Sequence, residues 1–549
     1  MNKHVDAIVI GAGAGGGIIA KELACSGMKT VLFERGGWAT YDYHPNDELM
    51  NQRLHIIGAV HGPDRRKSPY VEVAKDGSIV KSRPDRPDYT IIAACVGSGT
   101  VSYGAMAWRF MPQDFRLKSI YGCPEGSTLA DWPISYDDLE PFYEKAEWEI
   151  GVSGDNSKNP FAPPRKKNFP MPAFEFNKEA KVVAAAAERM GLHPFPIPML
   201  RNSVPYNGRA ACIRNRTCCG YACPVDAKNG TQNTVIPKAI ESGNCELRTH
   251  CVVAEILMDG KRAKGVRYFD ENNEEKIQTA DVVVVAASAC ESARLLLNSR
   301  TSLFPNGIGN NFDNVGRNLQ SHAYTGAWGL FDYDILELNG PGATLGISDF
   351  NHNEKEGIIG GVLCTEFYVL PYGFSRARPP SYPKWGREHK KFQRQNYRRM
   401  VRLHGPVQDV PTPGMRVQVE DSVRDFWGIP VTKFSGSRHP LDRKHCQFLS
   451  EKAASVLREA GAKQVWMNVG GLGRAGGQHQ CGTCRMGDDP KTSVVDPNCK
   501  VWGVDNLYVG DGGVLVSAGG FNPVLTIMAL AYRTGAHIAG EFAKKGSAA

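Results

Sequence analysis

Four cysteines, Cys212, Cys218, Cys219 and Cys223, fall within twelve residues of the stretch GRAACIRNRTCCGYACPVDAKNG (208–230). Thiolates gathered in a turn-rich loop can hold an iron–sulfur cluster or zinc, or can be small buried residues with no metal at all. Zinc favours well-separated ligand pairs, which this loop lacks. Arg209, Arg214, Arg216 and Lys228 would offset the charge of a thiolate cluster here. The chain carries 15 cysteines, an odd number in a large chain, which argues against a disulfide framework. The isolated Cys25, Cys95, Cys290 and Cys364 are expected to be core residues.

A second constellation opens the chain. VDAIVI (5–10) reads as a strand running into Gly11, Gly13 and Gly16, followed by a helical stretch (17–28) and a second strand, KTVLFE, ending in Glu34. The spacing has a mechanism: Gly11 makes the tight turn, Gly13 lets the backbone approach a pyrophosphate, and Gly16 lets helix and strand pack closely. The helix N-terminus then faces the phosphates, and Glu34 is placed to accept hydrogen bonds from a ribose diol, which a 2'-phosphate would oppose. FAD and NAD share this fingerprint. Near the other end, NLYVGD reads as a strand ending in Asp511. A glycine-rich loop follows, then a helix over 522–542 with Ile527, Leu530, Ala531 and Ile538 on one face.

The elements that must position these residues are bounded by the totals. A chain of 549 residues exceeds one hydrophobic core, so two or more lobes are expected. Its 42% hydrophobic and 22% charged residues are ordinary globular composition, and no apolar run reaches the roughly 18 residues of a membrane span. The first apolar run is short and no small-residue cleavage site follows it, so a first strand rather than a signal peptide is expected. The net charge of +8 is concentrated: residues 375–402 hold ten Lys or Arg against one Glu. This basic segment reads as a solvated insertion or a docking surface for an acidic partner, and no recognition motif accompanies it that would indicate nucleic acid. CVVAEILMDGKRAKGVRYFD (251–270) and EKIQTADVVVVAAS (275–288) read as strands, the first pair joined at a DG turn.

Several segments, in order, resemble the glucose-methanol-choline (GMC) oxidoreductase family. They are the N-terminal fingerprint, VGSGTVSYGAMAWR (96–109), ASACESARLLLNS (287–299), VGRNLQSH (315–322), HQCGTCRMG (479–487), SVVD (493–496) and NLYVGDGGV with its following helix. The resemblance implies an FAD enzyme of α/β class, α+β overall. A Rossmann-like FAD-binding domain would be formed by residues 1–160, 200–330 and 470–549 and carry the cysteine loop 208–230. A substrate-binding domain of residues 331–469, built on a mostly antiparallel sheet, would be interrupted by the basic segment 375–402. It further implies His479 as catalytic base and Asn522 as its hydrogen-bonding companion, with Asp511 near the ribityl or pyrophosphate and Gly97, Ser98, Gly99 and Thr100 lining the phosphate and flavin loop. An imidazole titrating near neutral pH suits removal of a hydroxyl proton, and an uncharged Asn can orient the same hydroxyl. His322, His404, His439 and His537 are expected to be structural. No histidine lies in the segment where some relatives bond FAD covalently, so non-covalent FAD is expected.

Within the family the likeness is greatest to bacterial FAD-dependent glucose, glucoside 3- and gluconate 2-dehydrogenases. That branch implies a 3Fe–4S iron–sulfur cluster on Cys212, Cys218 or Cys219, and Cys223, with the middle ligand open. The expected activity is oxidation of a sugar or sugar-derivative hydroxyl, with electrons leaving through the cluster. The alternatives are an oxygen-using alcohol or sugar oxidase without a cluster, and a catalytically silent electron-transfer subunit. A small signal-bearing subunit and a cytochrome c acceptor are the implied partners, and the location is either cytoplasmic or periplasmic by co-export.

Overall fold

The computed structural model describes residues 3–42, 46–47, 62–82, 92–216, 218–337, 339–366, 374–375, 377–471 and 473–543. Thr217 of the cysteine loop and Arg376 of the basic segment lie outside the described residues.

The strand Val5–Ile10 pairs in parallel with Thr30–Phe33 on one side and Glu275–Val285 on the other. Cys245–Arg248 extends the sheet beyond Thr30–Phe33, and Leu507–Val509 adds in parallel to Glu275–Val285. The long strand Glu275–Val285 changes partners along its length, and its sequence shows why. Its first half alternates exposed and buried residues and pairs antiparallel with Arg262–Phe269, which pairs antiparallel with Val252–Asp259. Its second half, Val282 to Val285, is fully buried, as a parallel strand covered on both faces must be. Asp259 pairs with Arg262 across a two-residue loop whose Gly260 has φ +57°, so the DG turn forms as expected. The helix begins at Ala14, earlier than the expected 17, and ends at Cys25.

A six-stranded sheet runs in the order Gln464–Asn468, Ala323–Leu330, Met400–Val407, Leu363–Glu366, Ala343–Ile347, Phe195–Pro196, with every pair antiparallel. Strand alternation gives it two faces. Ala323, Ala327, Val401, Leu403, Leu363 and Val407 pack against helix Pro440–Glu459 and the alanine-rich helix Lys178–Arg189. The opposite face carries Tyr324, His404 and Glu366, which are polar, and it is this face that meets the functional cleft described below. A third, four-stranded sheet joins Arg416–Arg424 and Pro430–Ser435 to Val71–Val73 and Ile79–Lys81. Met415, Val417 and Phe434 from this region enter the same core as the strands of the first sheet.

The last helix, Val524–Phe542, is buried on more than the one expected face: Leu525, Met528, Leu530, Ala531, Tyr532 and Ile538 are all covered, while Ile527 is half-buried. It packs along Ala14–Cys25, where a Cβ on Gly535 would stand 2.9 Å from Glu22 Cβ. The basic segment contains a helix, Gly386–Asn396, anchored through Phe392 to Trp328, Leu336, Phe374 and Met400. Cys95, Cys290 and Cys364 are buried, but Cys25, at the last turn of its helix, is exposed and corrects the expectation for that residue. All 15 cysteines are free thiols. Among the described residues no helix is long and apolar enough to cross a membrane.

Candidate active site

A cleft of about 350 Å³ runs between the first sheet and the polar face of the second. Backbone shapes the end at the first sheet. Gly11 adopts φ +104°, and a Cβ there would lie 2.3 Å from the Ala286 carbonyl oxygen. A Cβ on Gly16 would lie 1.9 Å from the Gly11 oxygen, as the helix-on-strand role requires, and one on Gly15 would lie 1.8 Å from the Gly510 oxygen. Gly13 caps the first helix and no side chain caps it, so its N-terminus opens onto the cleft. Glu34 also lines the cleft and is tied to the loop: its carboxylate accepts from Ala12 N at 3.1 Å and Gly36 N at 2.9 Å. Burial raises its pKa, against the lowering pull of these N–H groups.

Ser98, Gly99 and Thr100 form a short 3-10 turn on the cleft wall. Gly97 stands behind it, donating its N–H to the Ala12 carbonyl at 2.8 Å and packed against Gln232. Asp511 lies on the floor, buried, accepting from Gly513 N at 2.7 Å and from the Ser292 hydroxyl. Burial pushes its carboxyl up to about 6. Ser288 Oγ, on the same wall, is buried without a hydrogen-bond partner among the described residues.

At the other end the structure brings His479 and Asn522 together. Asn522 Nδ2 stands 3.3 Å from His479 Nε2 and donates to Tyr324 Oη at 3.1 Å. The amide orientation follows from Trp108, whose indole N–H can only donate and does so to Asn522 Oδ1 at 3.0 Å. The Trp108 segment is held in turn by Arg109, which makes a bidentate pair with the buried Glu147 at 2.9 and 2.8 Å. His479 Nδ1 is 2.9 Å from His322 Nδ1. His322 Nε2 faces only carbonyl oxygens, Gly519 at 2.7 Å and Ala518 at 3.2 Å, so it carries a proton. Burial lowers the His322 pKa and keeps the ring neutral, so His322 Nδ1 accepts and His479 Nδ1 donates. His479 Nε2 is then the unprotonated nitrogen, which is also what the Asn522 amide donor requires. Two independent neighbours thus impose one tautomer. His479 itself has φ +71°, a conformation uncommon for a residue with a side chain.

Among the described residues no three His, Cys, Asp or Glu are placed to hold a metal ion. Cys218, Cys219 and Cys223 share Lys228 as an electrostatic neighbour. Cys218 Sγ accepts from Arg201 Nη1 at 2.9 Å. Burial favours its thiol form, but the Arg201 and Lys228 charges outweigh that and hold it below the usual thiol range. Cys219 packs among Met106, Trp108 and Met199, with Cys212 against the same cluster. Lys228 stands with the thiols, donating to the Cys218 and Tyr221 carbonyls, and Arg214 donates its backbone N–H to Cys212 Sγ at 3.3 Å. Arg209 turns to Asn229 and the Ile150 carbonyl, Arg214 to the Gly340 carbonyl, and Arg216 to Glu179.

Sequence reasoning missed His322, Tyr324, Trp108 and Glu366. His322 closes the VGRNLQSH segment, and Tyr324 follows two residues on, which puts it on the same side of the chain. Neither Trp108 nor Glu366 carries a local signal, since their partners lie hundreds of residues away or on neighbouring strands.

Comparison with known proteins identifies the family. Residues 127–324 match the N-terminal family model described as GMC oxidoreductase, and residues 413–531 match its C-terminal counterpart. The chain is 30% identical to the 6'''-hydroxyparomomycin C oxidase of Streptomyces lividus, over 98% of this chain and 92% of that protein. It is 27% identical to the gluconate 2-dehydrogenase flavoprotein of Pantoea cypripedii, over 99% and 94% respectively. The crystal structure of pyridoxine 4-oxidase from Mesorbium loti shares the fold, with a TM-score of 0.60 at 16% identity over 97% of this chain and 98% of that one. Because both family segments are matched in order and the similarity runs from end to end, this chain belongs to the GMC oxidoreductases, FAD-binding oxidoreductases that act on CH–OH groups of donors.

Proposed function

We propose that the protein is the catalytic chain of an FAD-dependent dehydrogenase that oxidises a hydroxyl of a sugar or sugar derivative to a carbonyl. Glucose, a glucoside at C3 and gluconate-like compounds are the candidate donors. The observation that carries the reading is the His322–His479–Asn522 array, whose unprotonated nitrogen, His479 Nε2, belongs to a residue lining the cleft that starts at the glycine turn.

The residues present fit FAD. Gly11, Gly13 and the uncapped helix N-terminus form a backbone cradle for a pyrophosphate. Glu34 would meet a ribose diol, Asp511 and the unpartnered Ser288 hydroxyl the linker, and Ser98, Gly99 and Thr100 the flavin side, all of them lining the cleft. FAD, when bound, supplies the acceptor for the hydride that leaves the donor carbon. His479 Nε2 takes the hydroxyl proton, and the resulting imidazolium is stabilised by His322 Nδ1. Asn522, held by Trp108, orients the donor oxygen without competing for its proton.

The electrons then pass to an external acceptor, for which a cytochrome c and a small signal-bearing subunit remain the partners implied by family resemblance. Exit through an iron–sulfur cluster on Cys212, Cys218, Cys219 and Cys223 rests on family resemblance and cysteine spacing, and the chemistry above needs no step through it. Iron analysis and electron paramagnetic resonance of anaerobically purified protein decide it, with fewer than about two irons per chain counting against a cluster. A second reading, an oxygen-using oxidase, is favoured by the oxidase name of the Streptomyces relative. Anaerobic flavin bleaching across a panel of sugars and alcohols, with products located by NMR, tests the main reading. Bleaching by none of them would overturn it, and rapid peroxide release in air would favour the oxidase.

A further inference from the structure

The charged side chains lining the cleft fall into two groups. Glu34, Arg35, Glu291, Arg294 and Asp511 belong to the nucleotide end, whereas Glu366 comes from the antiparallel sheet and stands apart from them. Glu366 is 5% exposed, at the end of the strand Leu363–Glu366. Its Oε2 is 3.1 Å from His404 Nε2 and its Oε1 is 3.8 Å from Arg402 Nη2. The path from this carboxylate to the reacting nitrogen is continuous: the His404 ring centroid is 5.4 Å from that of Tyr324, whose hydroxyl accepts from Asn522. All of these except Asn522 lie on one face of one sheet, at positions fixed by strand register. A carboxylate buried here without partners would be strongly unfavourable. Arg402 offsets part of that cost, while the carboxylate rather than the guanidinium lines the cleft.

We propose that Glu366 is the substrate-anchoring group of this cleft. It accepts hydrogen bonds from adjacent hydroxyls of a neutral polyhydroxy donor while Asn522 and His479 hold the hydroxyl to be oxidised. A carboxylate offers about four acceptor positions, enough for its protein neighbours and for a pair of hydroxyls. Its negative charge, on the side of the cleft where no Lys or Arg from the antiparallel sheet is among the described lining residues, sets the site against sugar acids. This selection rests on the proposed function and narrows its donor list, placing neutral aldoses and glycosides ahead of gluconate-like anions.

The test uses the flavin-loaded full chain with three compounds of one carbon skeleton: an aldose, its aldonate and its 2-amino sugar. Wild type is compared with Glu366→Gln and Glu366→Ala, each first checked for a native flavin spectrum. The expected result is that wild type prefers the aldose. In Glu366→Gln, kcat/KM for the aldose should fall roughly tenfold to a hundredfold, mainly through KM, the scale expected for hydrogen bonds to a charged group, and the aldose-to-aldonate preference should shrink. Unchanged ratios in both variants would overturn the anchoring role while leaving the proposed function intact if sugars still bleach the flavin. A wild-type preference for the amino sugar that vanishes in Glu366→Gln would overturn the neutral-donor assignment in favour of an ammonium. If no donor bleaches the wild-type flavin, the proposed function fails. The anchor is then judged by equilibrium binding of the same three compounds, read from flavin absorbance, with the same order expected.

Discussion

The two ends of the cleft are built by different means. At the nucleotide end the shaping atoms are backbone: a helix N-terminus, a turn at Gly11, and close approaches at Gly15 and Gly16 that leave no room for a Cβ. At the reacting end they are side chains gathered from four separate parts of the chain: Trp108, His322 with Tyr324, His479 and Asn522. The difference teaches that affinity for the cofactor and chemistry on the donor are separable here. Substitutions at the first end should remove the flavin, and substitutions at the second should spare it and remove the reaction.

The largest effect expected from breaking this separation is at His479. His479→Ala should retain bound flavin yet slow anaerobic flavin reduction by about 10²- to 10⁴-fold, the usual share of a general base, as measured by stopped-flow absorbance. Loss of the flavin along with the rate would show that the two ends are not independent. At the nucleotide end, Gly15→Ala places a methyl 1.8 Å from the Gly510 oxygen. Overpacking of this kind costs about 1–3 kcal/mol, so the flavin-to-protein ratio after purification should fall well below that of wild type, together with Tm. A full complement of flavin in Gly15→Ala would mean that the helix can shift without cost.

The effect with the smallest bearing on turnover is a pH dependence of stability at Asp511. Its carboxyl is pushed up to about 6 in the folded protein by burial, above the ordinary 3.8. The folded state therefore holds this proton more tightly than the unfolded chain does. The associated stability is present below about pH 4 and is lost as pH rises to about 6. Asp511→Asn, neutral throughout, should remove that slope, a difference on the order of 3 kcal/mol between the two pH values, read from urea midpoints. Identical slopes in the two proteins would place the titration elsewhere.

The contrast also explains what could be read in advance. Val5–Ile10, the glycine turn and Glu34 were legible because each acts on a neighbour close in the chain, and glycine is demanded wherever backbone meets backbone. The doubled role of Glu34, bound to Ala12 and Gly36 as well as facing the cleft, was not legible, since it depends on how the loop closes. His322 was read as structural because one histidine in a segment says nothing about a second one 157 positions away. The surroundings of the cysteines were not legible either: Cys219 packs in an apolar cluster and Cys218 accepts from Arg201, contacts made with segments outside the loop.

Sequence alone determined the dinucleotide-binding strand–turn–helix and the buried valine strand, because those features are written in local spacing and in hydrophobic periodicity, and it singled out His479 and Asn522 through family resemblance. Tertiary structure alone decided the tautomer of His479, the amide orientation of Asn522 and the appearance of Glu366 on the cleft wall. These depend on hydrogen-bond partners and strand registers between segments far apart in the chain, and a linear order of residues contains no distance between them.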